Sequence, residues 1–154
     1  MQIVVIAVGK LKETYWREAQ AEYLKRLLAY ASLSISEIPD EADDFNPARI
    51  QRVEGERILA KIKERDYVIV LELRGRQYSS EQFAQQMQTV FTKGFSRYVF
   101  VIGGSHGFDL SVLARANLQF SMSHLTFPHQ MARIILLEQV YRSFRIASGA
   151  PYHK

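Results

Sequence analysis

Five apolar runs, each followed by a stretch with helical spacing, constrain this chain more than any other feature. Gln2–Val8 is nearly continuous in β-branched and apolar residues and is closed by Gly9. Tyr67–Leu73 and Tyr98–Ile102 have the same character, which fits strands buried on both faces. Leu33–Ile38 alternates apolar and polar, and Leu118–Ser123 reads as a fifth strand. Between them, Trp16, Ala19, Tyr23, Leu27 and Tyr30 fall on one side of a helix over 14–30. Asn46-Pro47 opens a second helix running to about Lys63, since Asn caps free amides and Pro fits the first helical position. Ser79 with Gln82 forms a capping box for a third, and Asp109 caps a short fourth. Pro128 starts a long fifth helix to about Ala147. The order βαβαβαβαβα predicts an α/β domain: an open, largely parallel sheet with helices on both faces. With 154 residues, one domain spanning 1–154 is expected.

Hydrophobic residues make up 47% and charged residues 23%, enough apolar matter for a core. There is no cysteine, so disulfides and thiolate metal sites are excluded; a reducing cytoplasm is compatible with this and is the expected location. Met1–Lys10 lacks a basic n-region and reads as a strand rather than a signal peptide. No apolar run approaches the roughly 18 residues of a membrane span. The net charge of +4 is carried by residues 115–154, where Arg115, Arg133, Arg142, Arg145 and Lys154 face Glu138 alone. A basic region on a neutral body suits a polyanion-binding surface, and equally a solvated basic helix face. Pro39–Asp44 is an acidic loop, expected to be solvated.

Ligands of open α/β sheets bind beyond the carboxyl ends of the strands. Three such ends are candidates: Leu71–Gly75, Gly103–Gly107 and Ser121–His129. Gly103-Gly104-Ser105-His106-Gly107 lets the backbone pass close to a ligand. It spells neither a dinucleotide fingerprint nor a P-loop, and a tight strand-to-helix turn is its plain alternative. His106, His124, His129 and His153 show no zinc spacing, so no metal site is expected. Without a cysteine or a Gly-x-Ser-x-Gly elbow, covalent catalysis has no support. Arg142 and Arg145, three apart, share a helix face suited to phosphate or to solvent.

Ala7–Glu13 with Tyr15-Trp16, Val101–Gly107, Thr126–Met131, Glu138–Arg142 and Tyr152-His153 together resemble the ribosomal RNA large subunit methyltransferase H family over essentially the whole chain. The resemblance implies a SPOUT-class fold whose C-terminal part forms a trefoil knot, and a homodimer. It implies transfer of a methyl group from S-adenosylmethionine to N3 of a pseudouridine in 23S ribosomal RNA, on the assembled ribosome. Carried over by motif, the cofactor contacts fall on Leu71, Gly103 and the run Met122, Ser123, His124, Leu125, Thr126 and Phe127, with Gly104 beside them. These are the three strand ends already singled out.

N3 of pseudouridine carries a proton at neutral pH, so a base or an oxyanion stabiliser assists attack. The candidates are His129 beside the cofactor loop and His153 in the tail, with Arg142 steadying charge and Glu138 one turn before it as a simple partner. Gly149-Ala150-Pro151 turns Tyr152-His153-Lys154 away from the last helix. Tyr152 offers a ring to stack on a base, His153 an imidazole and Lys154 a cation, but the residues alone favour an ordinary frayed end. It is the resemblance, whose pattern ends on Tyr152-His153, that implies a tail completing the active site of a partner subunit. Transfer RNA as substrate, and a non-enzymatic ribosome-binding module, are the alternatives.

Overall fold

The computed structural model describes residues 1–42 and 46–152. Asp43 and Asp44 of the acidic loop, and His153 and Lys154 of the tail, lie outside the described residues. Ten elements alternate: β1 (Gln2–Val8), α1 (Thr14–Leu27), β2 (Ser32–Ile38), α2 (Pro47–Leu59), β3 (Tyr67–Arg76), α3 (Ser80–Phe91), β4 (Arg97–Ile102), α4 (Leu110–Arg115), β5 (Leu118–Phe120) and α5 (His129–Ala147). The strands form one sheet in the order β2-β1-β4-β3-β5, with every pairing parallel. This is the α/β architecture expected from the alternating runs.

Period-two alternation splits each central strand between two cores. Ile3, Val5 and Ala7 of β1 join Tyr98, Phe100, Phe83, Met87, Leu136 and Val140 on the α1, α3 and α5 side. Val4, Ile6 and Val8 join Val99, Val101, Ile58 and Val112 on the α2 and α4 side. Burial on both faces is why these strands read as unbroken apolar runs. Among the described residues, no helix is long and apolar enough to cross a membrane.

The caps are where the sequence puts them. The Asn46 side chain accepts from Arg49 N at 3.1 Å, Ser79 and Gln82 complete their capping box, and Asp109 accepts from Ser111 N at 3.0 Å. Other boundaries move. Two helices end early in tight turns, with Tyr30 N donating to Leu27 O and Ile62 N to Leu59 O. Pro128 occupies the cap position, with extended ψ, rather than the first helical turn. The fifth strand stops at Phe120, because the Ser121 hydroxyl turns back onto Ser123 O at 3.0 Å. The acidic loop is not simply solvated: Glu41 pairs with Arg57 at 2.7 Å and with Arg49 at 3.6 Å.

β3 continues three residues beyond Leu73 and crosses β5 there. Phe120 pairs with both Leu71 and Arg76, so the backbone between them bows out of register. Ser121 N donates to Arg76 O at 3.0 Å. A Cβ on Gly75 would lie 2.7 Å from the backbone of Gln119 and Phe120, closer than atoms can pack. Glycine is required at this crossing for space. Gly75→Ala is therefore expected to destabilise the fold by about 1–3 kcal/mol, the range for overpacking a tight site. Urea unfolding midpoints check this, and an unchanged midpoint contradicts so close a crossing.

Candidate cofactor cleft

The carboxyl ends of β3, β4 and β5, adjacent in the sheet, enclose a cleft of about 410 Å³. That falls within the usual ~300–1,000 Å³ of small-molecule sites. Leu71 and Glu72 come from the bowed end of β3, Gly103 and Gly104 follow β4, and Met122, Ser123, Leu125, Thr126, Phe127 and His129 follow β5. The structure thus brings together three strand ends that are far apart in sequence. His124 is the exception within its run: it is exposed and does not line the cleft. Ser121 and Ser123 shape that run locally, Ser123 Oγ accepting from Leu125 N at 3.0 Å.

The glycine turn is held from two sides. A Cβ on Gly103 would lie 2.9 Å from the ring of Phe108, itself a wall of the cleft. Gly107 has φ +77°, a left-handed conformation that favours glycine, and its N–H closes the turn on Gly104 O at 3.2 Å. From α2, Gln51 Nε2 donates to His106 O at 2.6 Å. Glu54, 4% exposed, packs its carboxylate against Gly104, where a Cβ would lie 2.8 Å from Oε1. Gly55 leaves room for the Asp109 side chain. Hydrogen bonds from Ser111 hold the Asp109 carboxyl below its ordinary range, keeping it an ionised cap.

Among the described residues, no lysine or arginine lines the cleft, and Glu72 is its one carboxylate. Phosphate recognition calls for cations or a ring of amides on the ligand. This lining instead suits a largely apolar ligand that is neutral or positively charged. No group of three or more His, Asp or Glu side chains suited to a metal ion is present among the described residues.

Where α5 begins, two residues anchor it to β1. His129 Nε2 lies 3.3 Å from where a Cβ on Gly9 would stand, and Gly9 has φ +90°. Arg133, 1% exposed, donates to Glu37 at 2.6 Å, Gly9 O at 3.0 Å and Gln20 at 3.2 Å. It therefore adds nothing to a basic surface, contrary to the reading of the C-terminal charge excess. Arg115 is likewise occupied by the carbonyls of Lys63, Glu64 and Asp66. Arg133 was detectable in the sequence, since it shares the spacing of buried Leu137 and Val140. Glu54, between buried Ile50 and Ile58, carries the same signal.

The remaining candidates cluster at the other end of α5. Arg142 pairs with Glu138 at 2.5 Å, Tyr152 OH donates to the same oxygen at 3.2 Å, and the guanidinium sits 4.7 Å from the Tyr152 ring centroid. The bond to Glu138 raises the Arg142 guanidinium further above its usual range, so it remains a cation. Burial, then the Glu138 charge, raises the Tyr152 phenol, which stays protonated and acts as a donor. Thirteen helical steps separate His129 from Arg142, roughly 20 Å at the α-helical rise. Within one chain, Arg142 and Tyr152 do not meet His129 and the cleft.

A family model described as "Predicted SPOUT methyltransferase" matches residues 1–153. The all-parallel sheet, and a cleft built from three strand ends with no phosphate-binding cation among the described residues, agree with that match. The chain belongs to the SPOUT methyltransferase family and is a methyltransferase by that membership.

Proposed function

We propose that this protein is a homodimer that methylates N3 of a pseudouridine in 23S ribosomal RNA, on the assembled ribosome, with S-adenosylmethionine as donor. The observation that carries the reading is the convergence of Leu71, Gly103 and the Met122–Phe127 run on one cleft whose lining suits an adenosyl group bearing a positive charge. SPOUT methyltransferases generally use this donor. The cradle fits it: Gly103 and Gly104 keep the wall free of side chains, and the apolar Leu71, Met122 and Phe127 offer surface to a base. When bound, the donor supplies an electrophilic methyl group on a sulfonium sulfur. We read the Gly75 crossing as part of the trefoil knot that the family resemblance implies. True knots are otherwise essentially absent from proteins, so the resemblance is what recommends it.

The residues of the chain divide the remaining work. His129 lines the cleft, and its imidazole is the side-chain type suited to accept the N3 proton near neutrality. Arg142 stays cationic and Tyr152 protonated, so these two orient the acceptor and steady developing charge rather than remove a proton. They reach a cleft only in a second copy. The outer stripe of α5 carries Met131, Ile135, Glu138 and Arg142, and Met131 is 37% exposed. Two such helices packed antiparallel about a two-fold axis near Ile135 would bring Arg142 of each copy beside His129 of the other. His153 and Lys154 belong to the same tail and serve the same acceptor in this reading.

Two outcomes follow. Gly103→Val should displace Phe108 and reduce S-adenosylmethionine binding by calorimetry by at least about a hundredfold, near 2.7 kcal/mol, with the fold intact by circular dichroism. Unchanged affinity removes the cleft as the donor site. Deleting residues 151–154 should leave donor binding and the dimer intact, while methyl transfer to intact ribosomes falls at least about tenfold, equivalent to roughly 1.4 kcal/mol of transition-state stabilisation. Normal turnover by the truncated protein, or a preference for free transfer RNA over ribosomes, contradicts the proposal.

A further inference from the structure

The α2 face behind the glycine turn carries a buried carboxylate without a full set of partners. Glu54 is 4% exposed, and its Oε1 has no hydrogen-bond partner among the described residues. Its other oxygen accepts the Glu41 amide at 3.0 Å. Nearby cations are drawn to Glu41 instead, Arg57 at 2.7 Å and Arg49 at 3.6 Å. A buried carboxylate with an unsatisfied oxygen is costly, and a neutral side chain of similar size would serve packing better. Its direction is the informative feature. A Cβ on Gly104 would lie 2.8 Å from Oε1 and 3.2 Å from Oε2, and Gly104 is itself part of the cleft wall. Because that residue has no side chain, one thickness of backbone separates the carboxylate from the cleft. On the cleft side no lysine or arginine neutralises it among the described residues, and Glu72 adds charge of the same sign.

We propose that Glu54 is a positioning and selectivity residue that lends the cleft negative potential through the side-chain-free wall at Gly104, favouring a cationic donor over its uncharged thioether product. The inference rests on the donor assigned above. S-adenosylmethionine carries a sulfonium charge. Once the methyl group leaves with the bond to sulfur broken, the electron pair stays on sulfur and S-adenosylhomocysteine has lost that charge. A carboxylate shielded from water keeps its field over the few ångströms to the cleft, whereas in bulk solvent it would be screened. Glu54 thus holds the donor more tightly than the product and assists product release, without touching either. Gln51, which holds His106 O from the same helix face, fixes the turn so that the wall stays thin.

The experiment is calorimetry of the full-length protein with S-adenosylmethionine and, separately, S-adenosylhomocysteine, for the unsubstituted chain, Glu54→Gln and Glu54→Met, with thermal unfolding of each. Both variants should lose about tenfold in donor affinity and less than about twofold in product affinity, as removal of one nearby charge from a poorly screened site requires. Glu54→Gln should unfold at an unchanged temperature, because its side-chain oxygen can still accept the Glu41 amide, so any loss of affinity in that variant is not a loss of fold. Equal losses for the two ligands, or no loss for either, overturn the proposal and leave Glu54 a packing residue. Failure of the unsubstituted protein to bind either ligand overturns the donor assignment itself, a result distinct from an unaltered preference.

Discussion

The bowed end of β3 crosses the backbone of β5 at Gly75, with no space for a Cβ, and the geometry of the cleft depends on that contact. Phe120, paired to both Leu71 and Arg76, is fixed from behind by stacking on Phe83 at 4.7 Å between ring centroids. With β5 held there, the chain must leave the sheet at once, and Ser121 and Ser123 turn the following residues over the ends of β3 and β4. Leu71 and Glu72 line one cleft with Met122 and Phe127 for this reason. A strand continuing to Ser123 would have carried those groups past the cleft.

α5 joins two regions of different character. Its first turns are rigidly seated, because buried Arg133 ties Glu37 and Gly9 to the helix beside His129. A buried charge so paired stabilises little in itself, but removing its partner would leave it buried and uncompensated. Beside Leu136, Leu137 and Val140, which face the core, the helix carries the half-buried pair Glu138 and Arg142, which receives Tyr152. The proposed division of labour follows from that length: a donor cleft at one end, acceptor-handling groups about 20 Å away, and a second copy to unite them.

The alternation of apolar runs with helical spacing was enough to read the parallel sheet and its two helical layers, and polar side chains at 46, 79 and 109 marked helix starts correctly. Three strand ends were recognisable as one site because position in a parallel sheet is what gathers them. Less legible were effects of long-range packing. The extension of β3 depends on a backbone 44 residues away, where Phe120 meets Arg76. The roles of Arg133 and Glu54 depend on partners across the sheet, and a tally of charges along the chain counted Arg133 as surface. Helical spacing held a trace of both, since each sits on a buried stripe. His124 falls within a motif but outside the cleft, because an irregular loop does not point successive side chains by any fixed period. His153 and Lys154 lie outside the described residues.

Sharing of an active site between two copies is the central claim, and subunit mixing tests it most directly. A chain carrying Gly103→Val lacks a working cleft but keeps its tail, while a chain lacking 151–154 keeps its cleft. After the two are unfolded together and refolded in equal amounts, random pairing makes about half of the dimers mixed, each with one complete site. Methyl transfer to ribosomes should then recover to about a quarter of the unsubstituted level, well above either variant alone. Activity no higher than the average of the two separate variants would show that each chain uses its own C-terminal residues, and would contradict the account.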